Sequence, residues 1–269
     1  MKNALRAAIA GLSLAMSAQL AQALEKVVVG TNWLAQAGHG GFYQALADGT
    51  YEKYGLDVKI EMGGPQVNNR PMLAAGRLDF LLTGNLLLSF HNVANNIPTT
   101  VVAAFYQKDP QALIAHEGAY KDFKDLTNAP SVLIAKDSQF GFWPWLVSEF
   151  GFRDEQVRPY GYSLAQFMGD TKLVQQAYAT AEPLYAAKQG AKVTTYLFAD
   201  HGYSTYANTI EARQEMVDKN PELVQRFVDA TIEGWNNFLY GDHSKAYELI
   251  LKDNPDMSAE TLDGELAMI

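Results

Sequence analysis

Residues 27–64 read VVVGTNWLAQAGHGGFYQALADGTYEKYGLDVKIEMGG, and the alternation inside this stretch decides the fold class. Val27–Val29 is a short β-branched run. Phe42–Tyr54 is longer and amphipathic, with Gly55 where a helix should stop, and Leu56–Ile60 alternates like a second strand. Two strands joined by a crossover of about a dozen residues form the βαβ unit of a parallel sheet.

The same rhythm continues outward: Asn69–Gly76 predicts a helix, Phe80–Leu82 a strand, Leu86–Asn95 a helix stopped at Asn96, and Thr99–Phe105 a strand. Past Asp109-Pro110 it restarts, with strands expected at Ala112–Ala115, Val132–Ala135 and Tyr196–Ala199 and helices at Phe142–Phe150 and Thr171–Gln176. The end of the chain reads as helical. Asn220-Pro221 opens a stripe of Leu223, Val224, Phe227, Val228, Ile232, Trp235, Phe238 and Leu239; Ala246–Lys252 follows, and Ser258 caps a last helix expected to run to Ile269. No linker separates independent domains. The expectation is an α/β protein of two lobes on a shared hinge: lobe 1 over 24–108, lobe 2 over 109–203, and a helical return to lobe 1 over 204–269.

Composition narrows the chemistry. Of 269 residues 48% are hydrophobic and 19% charged, enough apolar material for a folded core. The absence of cysteine excludes disulfides, thiolate metal sites, thiol nucleophiles and a lipidated N-terminal cysteine. Lys2 and Arg6 precede the apolar run Ala7–Leu20 and Ala21-Gln22-Ala23, the pattern of a signal peptide cleaved after Ala23. That run is too short to span a bilayer permanently, which places the mature protein in a bacterial periplasm. Cleavage would leave 19 basic and 30 acidic side chains, moving the net charge from −9 to −11. Such an acidic chain argues against nucleic acid or anionic lipid as a partner.

Catalytic motifs fail in turn. Gly38-His39-Gly40-Gly41 opens a helix, but Tyr43 occupies the third-glycine position and the glycines lie some eight residues past the strand, so no dinucleotide loop is expected. The helix start remains a candidate receptor for a polar ligand group. The five histidines form no HExxH, no GxSxG elbow occurs, and the carboxylates are scattered. Asp200-His201 and Asp242-His243 read as solvated loops. Aromatic and amide residues instead gather in strand-to-helix loops: Asn32-Trp33, Gly84-Asn85, Phe105-Tyr106-Gln107, Phe140-Gly141-Phe142-Trp143, Tyr160-Gly161-Tyr162 and Tyr203. Such loops converge at the carboxyl ends of α/β strands, where rings stack on a flat heterocycle and amides read its edge. Each ring has a bland alternative as core filling.

Over nearly the whole mature chain the residues resemble a known family. Val28–Gly64, Leu73-Ala-Ala-Gly-Arg-Leu-Asp79, Asn96-Ile-Pro98, Gln175-Gln-Ala-Tyr-Ala-Thr-Ala-Glu-Pro183, Asp200-His-Gly-Tyr203 and Asn220-Pro-Glu-Leu-Val224 are similar to the solute-binding proteins of ABC importers in the aminopyrimidine, sulfonate and nitrate group. Fungal thiamine-pyrimidine synthases share that fold. The resemblance implies a type II periplasmic binding fold, two α/β lobes closing on a ligand, with an inner-membrane ABC permease as partner, no cofactor, and a monomeric state. It implies ligand contact at Trp33 and His39, at Asn85 after the third strand, and at the acidic Glu182 of the Glu-Pro pair; loop placement adds Gln107, Phe142, Trp143, Tyr162 and Tyr203. A carboxylate such as Glu182 can accept two hydrogen bonds from an aminopyrimidine, the thiamine precursor. The competing structural role for Glu182 is stabilisation of a helix start. A sulfonate or nitrate would want basic residues, and the candidate loops contain no arginine.

The synthase branch makes demands that this chain does not meet. Its pyridoxal-bearing lysine falls at Thr83–Asn85, with no lysine between Lys59 and Lys108, and its cysteine-rich iron site corresponds to Ser204–Asn208. The protein is therefore expected to perform no chemistry. The resemblance also implies a C-terminally shortened chain, lacking a segment that packs back on lobe 1.

Overall fold

A computed structural model describes residues 23–269, and the expected export segment lies outside them except for Ala23. Ten strands form two five-stranded sheets. The first holds β1 (Glu25–Gly30), β2 (Leu56–Glu61), β3 (Phe80–Asn85), β4 (Thr99–Tyr106) and β10 (Ala207–Arg213) in the order β2-β1-β3-β10-β4. β1 runs parallel to β2, with Val27 opposite Val58, and to β3, with Val29 opposite Phe80. β10 enters antiparallel between β3 and β4.

The second sheet holds β5 (Gln111–His116), β6 (Val132–Ile134), β7 (Val157–Pro159), β8 (Val174–Tyr178) and β9 (Val193–Leu197) in the order β7-β6-β8-β5-β9. The chain crosses between the lobes at 107–110 and again at 198–206. These crossings are the hinge, and β10 carries the chain back into the first sheet.

Eleven helices flank the sheets among the described residues: α1 (Gly40–Ala47), α2 (Thr50–Lys53), α3 (Arg70–Ala74), α4 (Leu87–Ala94), α5 (Trp143–Phe150), α6 (Ala165–Gly169), α7 (Glu182–Lys188), α8 (Gln214–Lys219), α9 (Pro221–Tyr240), α10 (Ser244–Asp253) and α11 (Ala259–Leu266). None is long and apolar enough to cross a membrane. Each lobe has its own core. Val29, Phe42, Leu56, Phe80, Ile210 and Phe227 meet in the first, and Leu113, Ile134, Phe142, Leu146, Val174 and Phe198 in the second.

Four sequence expectations need correction. The stretch expected as a helix over Thr171–Gln176 contains a strand instead, because Val174 and Ala177 are buried and the backbone pairs with β5 on one side and β6 on the other. Residues 42–54 form two helices. Gly49 breaks them at φ +78°, and the Asp48 carboxylate accepts the Thr50 N–H at 3.0 Å to start the second. The strand expected over Tyr196–Ala199 ends at Leu197 and passes into a 3-10 turn over Phe198–His201. The last helix is capped by Ser258, whose Oγ accepts the Thr261 N–H at 3.2 Å, but it ends at Leu266.

The glycine pair that opens α1 has a packing role. A Cβ on Gly40 would stand 2.1 Å from the Phe238 ring, one on Gly41 2.2 Å from Trp235, and one on Gly234 2.3 Å from the Gly41 carbonyl oxygen. α1 and α9 therefore touch backbone to backbone, and the stripe on α9 closes the first lobe through Phe227, Trp235 and Phe238. Ile232 leaves the stripe and is 47% exposed.

Candidate functional site: the interlobe cleft

The carboxyl ends of β1 and β3 face those of β6 and β8 across a cleft of about 690 Å³, counted out to its mouth. From the first lobe, the loop after β1 supplies Asn32, Trp33 and Gln36. Thr31 fixes this loop: its hydroxyl donates to the Trp33 carbonyl at 2.8 Å and accepts the Gly63 N–H at 3.0 Å, while Asn69 Nδ2 donates to its carbonyl at 2.9 Å. His39 follows at the start of α1. Asn85, at the end of β3, accepts the Leu87 N–H at 3.0 Å and so begins α4, leaving its amide nitrogen beside Gly141 of the opposite lobe.

The second lobe contributes Asp137, Ser138 and Phe142, then Gln176 and Tyr178 from β8, and Glu182 from the first turn of α7. Gln176 Oε1 accepts the Ala135 N–H at 2.6 Å. The Tyr178 hydroxyl reaches across the cleft to the Gly84 carbonyl at 3.2 Å. Among the described residues, no lysine or arginine lines the cleft.

Electrostatically the cleft combines the amides of Asn32, Gln36, Asn85, Gln111 and Gln176 with the carboxyls of Asp137 and Glu182. Glu182 is 4% exposed, and burial pushes its carboxyl up to about 7. The Tyr178 N–H at 2.7 Å and the Tyr160 hydroxyl at 3.0 Å, one on each oxygen, oppose that rise. His39 is also buried, and desolvation pulls its imidazole down to about 4, so it is neutral. Its Nδ1 is buried without a partner and can accept or donate a hydrogen bond according to the tautomer. Asn32 Oδ1 and Asp137 Oδ1 are likewise buried without partners, and burial raises the Asp137 carboxyl against the pull of Arg70 and Lys136. A buried acceptor without a donor costs free energy, which a ligand N–H or O–H would recover.

Of the nine residues expected at a ligand, Trp33, His39, Asn85, Phe142 and Glu182 line the cleft. The other four do not. Gln107 is exposed at the hinge, its amide donating to the Ala104 carbonyl at 3.3 Å, because β4 runs on to Tyr106 and turns the loop outward. Trp143 points into the second core and donates to Asp154 at 2.8 Å. Tyr203 packs against Phe198 and Trp145 in the same core. Tyr162 stands behind Trp33, edge-on at 6.2 Å, with its hydroxyl on Met257.

Sequence reasoning missed Gln36, Gln111, Asp137, Ser138, Gln176 and Tyr178. Gln176 and Tyr178 would have followed from reading 174–178 as a strand, whose carboxyl end must face the cleft. Asp137 beside Lys136 carried only the signature of a solvated turn.

The family described as "NMT1/THI5 like" matches residues 36–241. The riboflavin-binding protein RibY of Chloroflexus aurantiacus is 24% identical over 244 residues, covering 87% of this chain and 68% of that protein. Two solved structures share the architecture. The alkanesulfonate-binding protein SsuA of Xanthomonas axonopodis pv. citri, bound to MOPS, has a TM-score of 0.64 at 12% identity, over 90% of this chain and 83% of that one. The aliphatic sulphonate binding protein SsuA of Escherichia coli has a TM-score of 0.63 at 17% identity, with the same coverages. Both likenesses establish the two-lobed periplasmic binding fold.

Proposed function

This chain belongs to the NMT1/THI5-like family, and we propose that it is the periplasmic solute-binding component of an ABC importer. It captures a small solute by lobe closure and hands it to an inner-membrane permease. One observation carries this reading: the two lobes meet over a cleft in which three buried polar atoms, His39 Nδ1, Asn32 Oδ1 and Asp137 Oδ1, have no protein partner. A closed cleft of that kind is completed by a ligand that donates hydrogen bonds from both faces. Binding needs no reactive group, and Glu182 and Trp33 together suit a flat, amine-bearing ring.

We read the solute as an aminopyrimidine of the thiamine-precursor type. Its amino group can donate to the carboxyls of Glu182 or Asp137 while Trp33 covers the ring face, and the ring nitrogens can accept from the lining amides. A sulfonate, the ligand type named for the two SsuA proteins, brings three acceptor oxygens and a negative charge. It would meet two buried carboxyls and no lysine or arginine among the lining residues, an arrangement that disfavours an anion. Riboflavin, named for RibY, carries donors as well and is the second reading, favoured by the sequence relationship.

Turnover as a pyrimidine synthase is opposed by the residues themselves. Thr83, the first of the three positions where the synthase lysine would fall, is buried in β3 with its hydroxyl 2.5 Å from that of Thr209, and the chain has no cysteine. A melting-temperature screen against aminopyrimidines, thiamine, riboflavin, alkanesulfonates, taurine and nitrate tests the receptor reading. A rise of several degrees with one class supports it. No shift with any, or pyrimidine formed on incubation with pyridoxal phosphate and iron, contradicts it.

A further inference from the structure

We propose that α11 is a clasp that holds the second lobe closed over the cleft, with the Tyr185 hydroxyl on Glu265 as its catch. α11 is tied to the first lobe: the preceding α10 packs on α1, and Glu265 Oε2 accepts the Ala37 N–H at 2.8 Å in the turn that carries His39. The other carboxylate oxygen accepts the hydroxyl of Tyr185, which belongs to α7 of the second lobe. Glu265 is 2% exposed, so its carboxylate is out of water in this arrangement.

The rest of the seam has the same sense. Lys188 of α7 donates to Thr261 Oγ1 at 2.8 Å and pairs with Glu260 at 3.5 Å. Gly264 lies against Leu184, where an added Cβ would stand 3.2 Å from the leucine methyl. Leu184, Tyr185 and Lys188 form one face of α7; Glu260, Thr261, Gly264 and Glu265 form one face of α11. Every one of these contacts joins the lobes, and rotation about the hinge at 107–110 and 198–206 separates them. Opening exchanges the Tyr185 hydroxyl on Glu265 for water, so the catch favours the closed state by the net worth of one hydrogen bond.

A strained residue links the catch to the cleft. Tyr162 has φ +62°, the left-handed region that a bulky aromatic residue seldom adopts. This conformation places its ring edge-on to Trp33 at 6.2 Å on one side and to Tyr185 at 6.3 Å on the other. Glu182 stands one turn before Tyr185 on α7. A solute that draws Glu182 and Trp33 together therefore seats the catch. Glu265 and Tyr185 touch no ligand; they are positioning residues that set how often the cleft is closed.

The clasp rests on the solute-binding reading only for the purpose of closure, and its test needs no solute. The chain has no cysteine, so Glu52→Cys in the first lobe and Glu155→Cys in the second accept spin labels uniquely. Double electron–electron resonance on the labelled full chain should show a short-distance, closed population without any ligand. Tyr185→Phe should lower the closed-to-open ratio about three- to tenfold, the worth of one hydrogen bond. Glu265→Gln should do the same, and the double variant should lose little more than either. Lys188→Ala should shift the ratio in the same direction and serves if Glu265→Gln does not fold. A merely structural role would lower the melting temperature and leave the ratio unchanged. An unchanged ratio in Tyr185→Phe, or no closed population in the unsubstituted chain, overturns the clasp.

Discussion

Trp33 of the first lobe stacks on Tyr160 of the second, ring centroids 5.8 Å apart and planes 28° apart. The Tyr160 hydroxyl in turn donates to Glu182 at 3.0 Å. One aromatic pair therefore bridges the lobes and orients the carboxylate nearest the cleft floor. Around it, Gln66 Nε2 donates to the Tyr160 carbonyl at 3.0 Å and the Lys136 N–H to the Pro65 carbonyl at 3.1 Å, so the lobes already touch along the cleft mouth.

Trp33→Ala should weaken solute binding by about tenfold, the scale of one lost aromatic stack, and lower the melting temperature little, because the ring is only half buried. Calorimetric titration measures the affinity. Trp33→Phe should recover part of it, and an alanine variant that binds as tightly as the parent would remove Trp33 from the site.

Glu182 gives a pH signature. Its carboxyl sits up to about 7 in the folded protein, so without ligand it is protonated below that and charged above. A solute whose amine donates to Glu182 without itself titrating over this range favours the charged form, so its affinity should rise between pH 6 and 8. Glu182→Gln should flatten that profile and lower affinity at pH 8. A profile equally steep in the variant would show that another group carries the dependence.

Asp109 should govern stability over the same range. It is fully buried at the hinge, accepts the Gln111 N–H at 2.9 Å and Nε2 at 3.1 Å, and burial pushes it up to about 8. The folded state thus binds a proton more tightly than the unfolded chain. The stabilisation is complete below pH 4, the unfolded range, and is lost as pH climbs towards 8. Asp109→Asn should make the melting temperature fall less steeply between pH 5 and 8 than in the parent, as read by scanning calorimetry.

Gly41→Ala should cost about 1–3 kcal/mol by forcing α1 away from α9, lowering the melting temperature by several degrees. Gly49→Ala also suffers from its positive φ, but nothing lies within 4 Å of a Cβ there, and its cost should be about 1 kcal/mol.

The two-lobed class was legible because period-two and period-3.6 runs alternate along residues 27–105, and local pattern is enough where strand and helix each bury one face. What stayed hidden depends on distant partners. Val174–Tyr178 carries two glutamines and reads as helix until β5 and β6 flank it. β10 contains Glu211, a poor strand interior residue alone, which becomes acceptable once Ser89 and Asn92 hydrogen-bond its carboxylate. In the site, Trp33, Asn85 and Phe142 sat where loops should converge, while His39 and Glu182 followed from the family resemblance. Trp143 and Tyr203 sat in similar loops, yet their rings turn into the second core, and sequence cannot distinguish an inward from a cleftward rotamer. Asp137 and Tyr178 become visible only when the lobes face each other.

Two unpartnered acceptors buried in the cleft, Asn32 Oδ1 and Asp137 Oδ1, select a solute that donates hydrogen bonds. Isothermal titration of the protein at pH 7.5 with a 4-aminopyrimidine and, separately, with an alkanesulfonate tests it most directly. Saturable, stoichiometric binding of the aminopyrimidine with no heat from the sulfonate is the predicted result. Binding of the sulfonate with none of the aminopyrimidine would contradict it.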